Sequence, residues 1–274
     1  MKKIFLSIAL LCAASWVAPT VATAQNLVPI PLKMASAQGQ PLVWQNVGQI
    51  NCPDELANEK AHLLRILADR AGVTTLNDNG TAQITLSIDT SLTDDEAYTL
   101  SIDENGVNIA GKTAAGVFYG IMTMEQLMID DNASARCIET NPITIEDAPR
   151  THVRELMVDP CRIFVPYERL KEIVPEMARY KLNSIHLHLV DDQAWRIEIK
   201  KYPQLIEKST SRVGMDDMLI PISGYYTQEQ MKDFVKYCAQ YHVMVVPEIE
   251  MPGHEVAAIH AFPELTCGGK QVPI

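Results

Sequence analysis

Positive charge is scarce in this chain. Its 274 residues carry 23 Lys+Arg against 34 Asp+Glu, a formal net charge of −11. That balance argues against nucleic acid or an anionic membrane as partner. No glycine-rich phosphate loop follows any predicted strand, which weakens a nucleotide-binding reading, and the sequence calls for no cofactor. Beyond the N-terminal segment the cysteines are Cys52, Cys137, Cys161, Cys238 and Cys267. Their number is odd, and their spacings match no zinc pattern and no disulfide framework, so most are expected as small core fillers. Outside the first two dozen residues no apolar run is long enough to span a bilayer.

The first two dozen residues do carry a run. Lys2 and Lys3 precede IFLSIALLCAASWVA, and the segment closes with Ala22-Thr23-Ala24. This is the layout of a secretory signal peptide over residues 1–24, cut between Ala24 and Gln25, and it predicts a periplasmic or extracellular protein. A membrane anchor is the alternative, but the run is short for one. A lipid site at Cys12 is disfavoured by Leu11, where a small residue is wanted. Removing Lys2 and Lys3 leaves 21 basic against 34 acidic residues, or −13.

Hydrophobic content of 47% is ample for a sizeable core. Residues 25–149 read as a small α+β domain. ELANEKAHLLRILADRAG has helical spacing and ends at Gly72, a C-cap residue. AQITLSID alternates as a strand. AYTLSI and VNIAG flank the hairpin turn DENG, and TAAGVFYGIMTMEQLMI is a strongly apolar helix. No chemistry is expected here. Polar residues and Pro149 in TIEDAPR mark a boundary, and residues 150–274 follow a different pattern. RELMVDPCRIF reads as a short strand with an irregular end, and SIHLHLVDD and VMVVPEIE read as apolar strands. YERLKEIVPEMARYKLN and QEQMKDFVKYCAQYH read as helices between them, the first bent or interrupted at Pro175, the second opened by a Thr227/Gln230 capping box. Residues 201–226 read as a long loop. Strands and helices in alternation predict an α/β fold with a parallel sheet, either open and doubly wound or a (β/α)8 barrel.

Each of the three strands stops at charged or polar residues. These are Asp159 and Arg162, then Asp191 and Asp192, then Glu248, Glu250 and His254. In parallel α/β folds the loops at the C-terminal strand ends face one shared mouth, where function gathers. Burying a carboxylate costs several kcal/mol unless it is paired, so three such strand ends point to a site. The bland alternative is that the charges pair with each other at a barrel rim.

DPCRIFVP, KLNSIHLHLVDDQAWRIEI, KYPQL, GYYTQEQ and VVPEIEMPGH, in this order and spacing, resemble the first part of the catalytic domain of family 20 glycoside hydrolases, the β-N-acetylhexosaminidases. EAYTLSI, GVNIAGKTAAGVFYGIMTMEQL and TIEDAPR resemble the accessory domain that precedes it. The resemblance implies a truncated TIM barrel of about three strand-helix units behind the α+β domain. It implies hydrolysis of terminal N-acetylglucosamine or N-acetylgalactosamine residues by a retaining, substrate-assisted mechanism. By resemblance Arg162 binds hydroxyls of the terminal sugar, and Asp191 with His254 supports the catalytic acid. Asp192 is expected as a structural partner of loop groups, and Glu248 and Glu250 are further candidates at the same mouth. Cys161, Ile163 and Glu250 depart from the usual family pattern. The Gly-Asp-Glu motif that carries the acid and its acetamide-orienting Asp has no counterpart here and is expected beyond Ile274. So are the aromatic side chains that grip the sugar. The chain is thus expected to be an N-terminal fragment, inactive by itself. N-acetylhexosamine-containing glycans are the expected partners.

Two rival readings come from the residues themselves. His186 and His188 form an H-x-H pair whose side chains point the same way, as two ligands of a metal-dependent hydrolase would. A non-catalytic carbohydrate-binding role is the other.

Overall fold

The computed structural model describes residues 27–128, 136–210, 223–270 and 272–273. The predicted signal peptide lies outside the described residues.

The first half builds a six-stranded sheet under two helices. Its strands are β1 (Lys33–Ser36), β3 (Val47–Asn51), β4 (Ala82–Ile88), β5 (Tyr98–Asp103), β6 (Gly106–Gly111) and β8 (Ile143–Asp147), in the order β1-β8-β5-β6-β4-β3. A separate short pair joins β2 (Leu42–Val43) to β7 (Glu139–Thr140). The predicted hairpin is β5 to β6, with Gly106 at φ 140°, where a side chain would be strained. Helix α1 (Ala57–Ile66) runs on through a π turn to Ala71, and Gly72 ends it in the left-handed region as a C-cap. Helix α2 (Ala114–Leu127) lies across the sheet. Gly120 allows that approach, since a Cβ there would sit 2.5 Å from Ile109.

The second half builds a three-stranded parallel sheet, β9 (Glu155–Val158), β10 (Ser184–His188) and β11 (Met244–Glu248), with β10 in the middle. Helix α3 (Tyr167–Arg179) links β9 to β10, and α5 (Gln228–Gln240) leads into β11. Ile185 and Leu187 of β10 point to these helices and are fully buried with Leu170, Val174, Phe234 and Cys238. The opposite face of the sheet is open, so the outer strands are less covered than a uniformly apolar reading implies. Met157 is 53% exposed and Met244 60%. Cys137, Cys161 and Cys238 are buried free thiols.

Two local expectations need correction. Pro175 does not interrupt α3, which is continuous from Tyr167 to Arg179. Proline leaves the carbonyl four residues earlier without its amide partner, and here the Tyr237 hydroxyl donates to that Lys171 carbonyl at 3.2 Å. The long loop after Lys201 contains a short helix, α4 (Gln204–Ser209). It packs on α6 (Val256–Ala261), with Ser209 Oγ donating to the Ala257 carbonyl at 2.7 Å. No helix among the described residues is long and apolar enough to cross a membrane.

Candidate active site

Parallel register brings the three strand ends level. Leu187 pairs with Val158 on one side, and His188 with Glu248 on the other. The connections that follow β9, β10 and β11 therefore share one mouth, and the site residues arise from all three.

After β9 the chain turns back on Asp159. Its Oδ1 accepts the amides of Cys161 and Arg162, both at 3.0 Å, and its Oδ2 takes Arg162 Nη1 at 2.6 Å. Arg162 Nη2 reaches Asp191 Oδ2 at 2.6 Å, while the Arg162 side chain stays 47% exposed at the mouth. The loop is held from below by Arg196, which is completely buried. Its guanidinium donates to the carbonyls of Pro160, Cys161, Thr210 and Gly224 at 2.8–3.0 Å. Arg196 thus clamps two connections together. The short alternating run WRIEI hides this, because it shows nothing of partners that lie in other connections.

Asp191 is the hub, 1% exposed. Besides Arg162 it accepts the Asp192 amide at 2.6 Å, His188 Nε2 at 3.0 Å and His254 Nδ1 at 2.8 Å. Burial pushes its pKa up, but the hydrogen bonds from His188, the Asp192 amide and His254, with the charge of Arg162, outweigh this and hold it below the ordinary value. His254 reaches Asp191 from a left-handed backbone, φ 52°, a conformation that costs a non-glycine residue about 1 kcal/mol or more. Asp192 lies beside this hub, and its Oδ1 accepts the Val256 amide at the start of α6, at 3.3 Å, which ties the loop to that helix.

Below this level lie Glu248 and Glu250. Glu248 Oε2 is 2.8 Å from His188 Nδ1 and 2.8 Å from His186 Nε2. Glu250 Oε1 is 3.3 Å from His188 Nδ1. The two glutamates share a hydrogen bond that raises Glu250. Glu248 is held low in spite of its burial, by Glu250 and then His188. His186 and His188 do share a face, as the H-x-H reading requires, but they meet carboxylates. Ligand atoms close enough to hold a cation occur among the described residues in Asp159/His188/Asp191, His188/Glu248/Glu250 and Asp191/Asp192/His254. His186 belongs to none of these sets, so the pair is not brought together as two metal ligands. The charges of the rim do pair with one another, yet Arg162 and His254 remain accessible. Its 40% exposed side chain leaves His254 open to the mouth. An exposed guanidinium beside a buried, ionised Asp that holds an accessible His is an arrangement that binds hydroxyls and orients a proton-transferring group.

The family model described as "Glycosyl hydrolase family 20, catalytic domain" matches residues 152–273, and "Glycosyl hydrolase family 20, domain 2" matches residues 24–148. A β-hexosaminidase of Porphyromonas gingivalis is 38% identical over 251 residues, covering 88% of this chain and 32% of that protein. One of Akkermansia muciniphila is 37% identical over 213 residues, covering 78% and 39%. The chain thus spans about a third of the length of these curated relatives. Among solved structures, the Streptomyces plicatus N-acetyl-β-hexosaminidase in complex with Thio-NAglucal superposes with a TM-score of 0.80 at 34% identity, over 94% of this chain and 52% of that one. In sequence and in fold, then, this chain belongs to family 20 of the glycoside hydrolases, with the α/β architecture of an accessory domain followed by part of a TIM barrel.

Proposed function

We propose that the protein is a β-N-acetylhexosaminidase that removes terminal non-reducing N-acetylglucosamine or N-acetylgalactosamine from glycans. The substrate's own acetamide oxygen attacks the anomeric carbon, so the configuration is retained. The observation that carries this reading is the meeting of Arg162, Asp191 and His254 at one mouth from three separate strand ends. Arg162, fixed in plane by Asp159 and Asp191, presents its donors to the hydroxyls of the terminal sugar. Asp191 holds His254, and that pair orients and tunes a glutamic acid that belongs to the Gly-Asp-Glu motif expected beyond Ile274. The test is release of the aryl group from an aryl N-acetyl-β-glucosaminide by the full-length protein. Arg162→Ala should lower kcat/KM by about tenfold to a hundredfold, the effect of losing one charged hydrogen-bonding group. An unchanged value would remove Arg162 from the site, and no turnover by the wild type would overturn the reading.

The 274 residues alone should release no sugar at a useful rate. A general acid contributes about 10²–10⁴-fold and charge stabilisation about 10²–10³-fold more. Turnover by this chain alone would instead make Asp191, Asp192, Glu248 and Glu250 candidates for the acid. The protein is also proposed to be exported to the periplasm or beyond. N-terminal sequencing of the mature form should begin near Gln25, and intact Met1 in a soluble cytoplasmic fraction would contradict export.

A further inference from the structure

A line of alternating rings and carboxylates descends the open face of the parallel sheet. His254 Nδ1 lies 2.8 Å from Asp191 Oδ1, and Asp191 Oδ2 is 3.0 Å from His188 Nε2. His188 Nδ1 is 2.8 Å from Glu248 Oε2, and the same oxygen is 2.8 Å from His186 Nε2. His186 Nδ1 ends the line 3.3 Å from Glu155 Oε1. His188 is its centre. Each of its nitrogens faces a carboxylate oxygen, and an ionised carboxylate only accepts hydrogen bonds. A ring so placed satisfies both neighbours only by carrying both protons.

We propose that His188 is a fixed imidazolium and a positioning residue for the Asp191–His254 pair. Its charge keeps Asp191 ionised. Ionised Asp191 in turn holds the proton of His254 on Nδ1, so that Nε2 is the nitrogen offered to a reacting group. The groups facing His188 support this. They are Asp159 from the connection after β9, Asp191 after β10, Glu248 and Glu250 at the end of β11, His186 on its own strand, and the ring of His254 at 5.4 Å. Glu250 is hydrogen-bonded to Glu248, which raises its pKa. Asp159, Asp191 and Glu248 surround the ring with carboxylates, and the single guanidinium of Arg162 is shared between the first two. Burial works against charge on His188, but its bonds to Asp191 and Glu248 outweigh burial and raise its pKa above the ordinary 6.5.

The charge itself is tested without reference to activity. Nitrogen NMR of isotopically labelled histidine in the full-length protein, assigned by through-bond correlation, should show His188 with both nitrogens protonated at pH 7. Glu248→Gln should lower its titration. A His188 ring that is neutral at pH 7 overturns the proposal. The positioning role rests on the hexosaminidase reading and has its own test. His188→Gln keeps an N–H donor toward Asp191 but loses the charge, so Asp191 should protonate more readily. The acidic limb of the kcat/KM profile should then move toward neutral pH by about one unit or more, the scale of one neighbouring charge. An equal loss at every pH, with the limb unmoved, overturns the positioning role. If the variant fails to fold, the NMR of the wild type still decides the charge. A charged His188 in a protein without hexosaminidase activity would count against the proposed function and not against the charge.

Discussion

Asp191 shows what one residue can be made to do by its neighbours. Its four partners, Arg162, His188, His254 and the Asp192 amide, converge from three connections. Asp191→Asn should lower kcat more than it raises KM, because the amide cannot accept from every one of these donors. Its pH-rate profile should lose the acidic limb of the wild type. Stability should follow the same groups. Asp191 titrates below its ordinary 3.8, so its contribution is complete above that pH and fades as pH falls through the lower folded value. His188 titrates above its ordinary 6.5, so its contribution is complete below that pH and fades as pH rises through the higher folded value. The melting temperature should therefore be highest between pH 3.8 and 6.5, and the alkaline decline should be weaker in His188→Gln. The charged strand ends made Asp159, Arg162, Asp191, Asp192, Glu248, Glu250 and His254 legible as a group, and the resemblance to the family, not the pattern, singled out Arg162, Asp191 and His254. Arg196 was not legible, because nothing local marks a guanidinium whose partners are carbonyls as far away as Gly224.

At the scale of elements, sequence pattern reads well where an element is long and amphipathic. Helix α5 begins with the capping box predicted for it, the Gln230 amide donating to Thr227 Oγ1 at 3.1 Å and the Thr227 amide to Gln230 Oε1 at 2.9 Å. Helix α4 escaped because six residues hold less than two turns and show no period. The continuity of α3 through Pro175 escaped because its remedy is tertiary. Tyr237 sits on α5, 62 positions away, and supplies the hydrogen that the proline lacks. Tyr237→Phe removes only that hydroxyl and its neighbouring bond to Tyr241. It should destabilise the protein by about 1 kcal/mol, the net worth of one hydrogen bond, visible as a lower melting temperature. The same substitution at Tyr180, which is 47% exposed at the end of α3, should change little. Equal effects would mean that the Lys171 carbonyl finds another partner.

Across the whole molecule, the two halves meet in a dense polar and aromatic seam. Glu59 binds His242 at 2.8 Å, His62 contacts the Gln240 carbonyl at 2.8 Å, and Arg65 donates to the Tyr241 hydroxyl at 2.8 Å. Phe118 is completely buried and stands against the rings of His62, Tyr241 and His242. Farther along, Lys181 pairs with Asp147 at 2.8 Å and Arg154 with Glu96 at 2.7 Å. Phe118→Ala should cost about 3–5 kcal/mol, as deletion of a buried aromatic ring does, and denaturant unfolding should register it in both halves at once. Separate transitions, with only one displaced, would show that the seam does not couple them. None of this seam was visible in the sequence, because its partners lie from 34 to 183 residues apart and follow no local period. It also limits how this lineage can be rebuilt by recombination. A crossover near residue 149 falls between two regions of regular pattern and looks harmless on paper. It would nonetheless separate Glu59, His62, Arg65 and Phe118 from the Gln240–His242 corner that fits them. Chimeras between relatives should inherit both sides of that fit from one parent, or carry matching substitutions on each.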